Sequence, residues 1–190
     1  MNKKKNALLS VLSFPDLVKR NFGYYLTIKQ SLRLHHHKIV ELQVIASKLV
    51  NKSIEELDAA SYIHGEGHPN DGRWLNILTQ KEEKEYSALG GLYGQMALNH
   101  CLTSILNVSN EIFRLTGRKV LDSSLRNYLQ DVWNRLTHHS HYPTRTKKIE
   151  SIKLTYKNHT LPHFNERDEI HFNDENVFSI IEEIRLFLTQ

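Results

Sequence analysis

A chain of 190 residues is long enough for one well-buried core and too short for two full-sized domains. Apolar residues at 39% and charged residues at 24% exclude a disordered chain, and no apolar run approaches the ~20 residues a spanning helix needs. A single cysteine excludes an internal disulfide and a Cys-rich zinc scaffold, while a net charge of +4 with twelve histidines in reserve permits a nucleic-acid partner without demanding one.

Residues 1–25 read as an N-terminal extension. Lys3, Lys4 and Lys5 followed by an apolar run to Phe14 resemble a secretory leader, but no small-residue cleavage site follows and Pro15-Asp16 interrupts the run. Together with the lone Cys101, a small buried hydrophobe by its context, this predicts a cytoplasmic protein with no membrane partner. Over 26–50, Ile28, Leu32, Ile39, Leu42, Ile45 and Leu49 recur in a three-to-four rhythm and predict a long amphipathic helix. Ser53 with Glu56 three positions on is an N-cap signature, so a second helix is expected from there to His64. The stretch 65–72 is turn chemistry throughout.

A further helical region is expected over 82–116, with Gly90, Gly91 and Gly94 inside it and Gly117 ending it. Asp122 or Ser123 caps the next helix, whose apolar face is Leu125, Tyr128, Leu129, Val132 and Leu136. Pro143 stops that helix by about His141. The alternation over 151–157 reads as a strand, with 169–172 as its hairpin partner. Asn173 to Asn176 caps a last helix carrying Val177, Ile180, Ile181 and Ile184. The expectation is an all-α fold. It is a helical bundle with a small β-hairpin decoration near the C-terminus, one domain over 1–190, with the hairpin inserted over 145–172.

The chemistry concentrates in Asn134-Arg135-Leu136-Thr137-His138-His139-Ser140-His141. Imidazole gains or loses a proton near neutral pH, and guanidinium is shaped to hold phosphate. At helical spacing Asp131, Arg135, His138, His139 and Tyr142 form one polar ridge beside the apolar stripe. Such a ridge carries what acid–base cleavage of a phosphodiester requires. Arg145, Lys147 and Lys148 follow as a candidate phosphate track, with Asn134, Asp131 and Tyr142 beside it as substrate-binding candidates. The plainer alternative is a charged helix end, where Arg and His favour the helix dipole by about 0.3–1 kcal/mol each.

Arg135 and His141, separated by five residues near the end of a helix, resemble the Arg–His hallmark of the HEPN superfamily, whose members are compact helical bundles. The resemblance covers 89–190, and its residue-level support lies in 134–141. It implies a metal-independent endoribonuclease of a toxin–antitoxin or antiphage defence system, with no cofactor. His138, His139 or His141 would act as acid and base, and Arg135 would hold the phosphate. It also implies a homodimer in which two motifs face one cleft, RNA as substrate, and an antitoxin or other protein partner. Leu136 stands where the family commonly carries a polar residue, which keeps open a non-catalytic regulatory module binding a nucleotide or protein.

Three other clusters carry signals of their own. His64 and His68, around Gly65-Glu66-Gly67, could contribute to a metal-dependent hydrolase, with His100 or His139 as a third ligand; an ordinary polar turn is the simpler alternative. His35-His36-His37 points in different directions on a helix, so it reads as a basic surface with Arg33 and Lys38. Arg73-Trp74 could stack on a base, or anchor its loop.

Overall fold

The computed structural model describes residues 2–58, 61–64, 76–88, 91–138, 148–166 and 168–190; within these, the side chains of 2–10, 61–64, 76–78, 80 and 138 are left undescribed. The described chain is all-α apart from two small antiparallel hairpins. It divides into two compact units, Met1–Ile28 with Gln95–Gln190, and Lys29–Gly94.

The first helix, α1, runs Asn2–Val50 with Pro15 inside it. The expected N-terminal extension is therefore helix. Its apolar residues Val11, Phe14, Val18, Phe22 and Tyr25 keep a three-to-four spacing and are buried in the core of the larger unit. Asn51, in the left-handed region at φ 50°, closes α1 as a short polar residue can.

In the smaller unit, Ser53 and Glu56 form the expected reciprocal cap, with Ser53 N–H donating to Glu56 Oε2 at 2.8 Å and Glu56 N–H to Ser53 Oγ at 3.2 Å. The helix they start, α2, covers only Ile54–Asp58. Where a helix to His64 was expected, Ser61–His64 is strand β1, paired antiparallel with β2, Asn76–Thr79. Tyr62 and Ile63 are of the β-favouring types that a short pleated ribbon accommodates. Thr79 and Glu82 then make a full capping box for α3, Gln80–Ser87. Lys84 holds the Asp58 carboxylate at 2.6 and 2.8 Å, and Gln43 Nε2 donates to the same carboxylate at 2.8 Å.

The helix expected over 82–116 is two helices, α3 and α4, Leu92–Thr116. Gly91 marks the break: a Cβ there would lie 2.5 Å from Glu85 O and 2.7 Å from Tyr86 O. Gly117, at φ 69°, ends α4 as expected, its N–H donating to Phe113 O at 2.7 Å.

In the larger unit α4, α5 (Ser123–His138) and α6 (Asp174–Thr189) complete the bundle around the buried face of α1. Leu125, Tyr128, Leu129, Val132 and Leu136 on α5 are all buried, as their spacing requires. Strand β3, Ile152–Lys153, pairs with β4, Thr160–Leu161, rather than with 169–172. A 3-10 turn, Tyr156–Asn158, reverses the chain between them, with Lys157 and Asn158 both at positive φ. The buried Glu183 carboxylate ties that turn to α6 by accepting Tyr156 N–H at 2.6 Å. Ile170 and Phe172 instead enter the core directly, so apolar burial, not strand pairing, is what their pattern encoded.

Candidate functional site

The sequence places its candidate site at the C-terminal end of α5. That helix is capped by Asp122, just before it, whose Oδ2 accepts Ser124 N–H at 2.7 Å and Leu125 N–H at 3.4 Å. With the apolar stripe against the core, Arg135 falls at its edge, and it is buried with 7% of its surface exposed.

The guanidinium is committed to main chain. Nη1 donates to Phe164 O at 3.3 Å and Nη2 to Asp168 O at 2.6 Å. Burial lowers the Arg135 pKa, and the Asp168 and Glu166 carboxylates act in the opposite sense; the group stays cationic. Among the described residues Arg135 Nε, which is buried, has no hydrogen-bond partner, and neither has His171 Nδ1. The loop that Arg135 grips is itself a tight turn: Asp168 Oδ2 accepts Asn165 N–H at 2.7 Å, and Asp168 N–H donates to Asn165 O at 3.1 Å.

Phe164 carries a second set of bonds. Its carbonyl accepts Ile149 N–H at 2.9 Å, and its own N–H donates to Ile149 O at 2.9 Å. One carbonyl therefore serves both Arg135 and the backbone of Ile149, using its two lone pairs. His139, His141, Tyr142, Arg145 and Lys147 lie outside the described residues, and so does the side chain of His138. The two flanks of that stretch do not. It leaves α5 three residues after Arg135, and the chain is pinned again at Ile149, on the carbonyl that Arg135 holds.

Of the remaining candidates, Asn134 Oδ1 accepts from Gln130 Nε2 at 3.2 Å, Asp131 is half-buried, and Lys148 is exposed and pairs with Glu150 at 3.2 Å. The neighbouring face of α5 is tied to α4 by a polar chain. Trp133 Nε1 donates to Thr103 Oγ1 at 2.7 Å, and Thr137 Oγ1 to Asn99 Oδ1 at 3.3 Å.

The alternative metal site is not joined by the described chain. His64 ends β1, but its side chain and the whole of His68 lie outside the described residues, as do Arg73 and Trp74. His100 is exposed and meets Tyr24 edge-on at 6.0 Å. Among the described residues no group of three metal-ligating side chains comes together.

The histidine run at 35–37 is more than a basic surface. His35 Nε2 meets Glu83 Oε1 at 2.8 Å, and the Tyr93 hydroxyl donates to Glu83 Oε2 at 3.1 Å. Glu83 is buried. Burial, and then the Glu83 charge, push the Tyr93 phenol up to about 12, so it remains a donor. His36 Nδ1 lies 3.2 Å from Lys84 O. No spacing rule signals this cluster, because Glu83 is 48 residues from His35.

No family model, curated protein or solved structure matches this chain. Among the described residues, no helix is long and apolar enough to cross a membrane.

Proposed function

We propose that this protein is a HEPN-like endoribonuclease of the cytoplasm, working without metal in a toxin–antitoxin or antiphage defence system. One observation carries the reading: Arg135 lies in α5 three residues before His138, and the carbonyl it holds also accepts the N–H of Ile149, eight residues beyond His141. Acid–base work depends on groups held in fixed geometry, and the described chain on either side of the histidines, at Arg135 and at Ile149, bonds the same Phe164 carbonyl.

A neutral imidazole among His138, His139 and His141 takes the proton of a ribose 2′-hydroxyl. The oxygen attacks the adjacent phosphorus, the 5′-oxygen leaves, and an imidazolium returns a proton to it. The products are a 2′,3′-cyclic phosphate and a 5′-hydroxyl, and DNA, without the attacking group, is spared. Arg145, Lys147 and Lys148 supply cations for the phosphate. With both terminal nitrogens on carbonyls, Arg135 acts in this reading as a positioning residue for the histidine segment. Leu42, Ile45 and Leu49 are exposed at helical spacing on α1, which supports pairing with a second copy.

The second reading is a non-catalytic module that binds a nucleotide or protein, favoured by the same burial of Arg135. RNA cleavage by the full chain in excess EDTA decides between them, comparing wild type with His138→Gln, His139→Gln, His141→Gln and Arg135→Lys. The nuclease reading expects EDTA-resistant cleavage, abolished by at least one histidine change. It fails if wild type binds RNA without cutting it, or if all four variants cut like wild type. Loss of cleavage in EDTA, restored by zinc or manganese, would move the site to a metal centre.

A further inference from the structure

We infer that the cleft between the end of α4 and the start of α5 is a binding site for a phosphate monoester carried on a flat ring. It is a cavity of about 260 Å³ lined by Ser109 and Phe113 of α4, Lys119 of the connection, and Ser123, Arg126 and Asn127 of α5. Arg126 and Arg135 are nine residues apart on one helix, roughly 13 Å along its axis, so the site is separate from the proposed nuclease centre and does not depend on it.

Two features select an anion. Among the described residues neither Lys119 nor Arg126 has a carboxylate partner; Lys119 Nζ reaches only Ser123 Oγ at 3.4 Å, and Arg126 Nη2 donates to Asn110 Oδ1 at 2.8 Å. That amide fixes the guanidinium without neutralising it. Asp122 is the sole acidic residue over 117–127, and its carboxylate is turned onto the α5 amides.

Ser109 is the second, independent sign. It is 5% exposed, lines the cavity, and its hydroxyl has no partner among the described residues. Thr103 and Thr116 on the same helix return their hydroxyls to the carbonyl four residues back, at 2.8 and 2.7 Å. Ser109 does not. A hydroxyl that lines a cationic cleft without a protein partner is a ready contact for a phosphate oxygen. Phe113, 51% exposed at the same cavity, offers an apolar face for the ring that bears the phosphate.

The test is calorimetric titration of the full chain in phosphate-free buffer with phenyl phosphate and, separately, with inorganic phosphate. Phenyl phosphate is expected to bind about tenfold more tightly than inorganic phosphate, and Lys119→Gln and Arg126→Gln are each expected to weaken it about tenfold. Both side chains are exposed, so the variants should keep the wild-type thermal midpoint. Ser109→Ala, whose loss is confined to one hydroxyl, should weaken binding as well. The assignment is overturned if phenyl phosphate does not bind, if the two probes bind equally, or if the Lys119→Gln/Arg126→Gln double variant binds like wild type.

Discussion

The hydroxyl of Tyr25 and the main chain of Phe172 bond each other in both directions. Tyr25 Oη donates to Phe172 O at 3.2 Å and accepts Phe172 N–H at 3.0 Å, across 147 residues of sequence. Both groups are buried, and the Phe172 ring stacks on Tyr128 with centroids 6.3 Å apart. Phe172 belongs to no strand or helix, so its peptide groups need partners from elsewhere. One phenol meets both requirements and ties α1 to the segment that enters α6.

Removing that hydroxyl takes one hydrogen bond from each of two buried main-chain groups. Tyr25→Phe is expected to lose about 1–3 kcal/mol of stability, read as a lower midpoint of urea unfolding with an unchanged slope.

Stability should fall in alkali. Burial pushes the Cys101 thiol from 9.0 up to about 12 and the Tyr25 phenol from 10.0 up to about 12, and it raises Tyr128 as well. The folded state holds these protons more tightly than the unfolded chain does. Their contribution is therefore complete below pH 9.0 and is lost as pH rises towards 12. Cys101→Ala should delay the onset of that loss to near pH 10.0, where the phenols begin to count; unfolding midpoints measured at stepped pH would reveal it.

Arg135 should matter to the fold whether or not RNA is cut. Arg135→Met removes the donors to Phe164 O and Asp168 O and is expected to cost about 2–4 kcal/mol, after allowing for the burial cost the charge no longer incurs. Hydrogen exchange should localise the damage, with the Ile149 and Phe164 amides losing protection before those of α4.

Two glycines separated by three positions should respond in opposite senses. Gly91→Ala puts a methyl against three carbonyl oxygens at 2.5, 2.7 and 3.0 Å and should cost about 1–3 kcal/mol. Gly94, inside α4, has open space where a methyl would sit, with nothing within 4 Å. It should tolerate alanine and gain roughly 0.5–1 kcal/mol. Thermal midpoints of the two variants should move apart.

Signals confined to a few neighbouring residues were the ones the sequence made legible. Ser53, Asp122 and Asn173 cap helices, and Gly117 ends one, because each acts on backbone within one turn. The apolar stripe of α5 was equally plain. The first half of α1 was obscured by Pro15-Asp16, although its buried residues keep helical spacing. The strand beginning at Ile152 was visible, but its partner was not: Lys157 and Asn158 adopt positive φ without a glycine to announce the reversal. At the candidate site, the position of Arg135 beside the stripe was legible. Its partners were not, since every residue carries a carbonyl and no side-chain pattern marks Phe164 or Asp168 as the acceptors.

The Tyr25–Phe172 bond also sets a timetable for synthesis. Ribosomes add about 5–20 residues per second, so the 147 residues between the two partners take on the order of ten seconds to make. Through that interval Val11, Phe14, Val18 and Phe22 have emerged before the helices that cover them. The newborn chain must carry a bare greasy stripe while it waits, which is the kind of surface that chaperones grip.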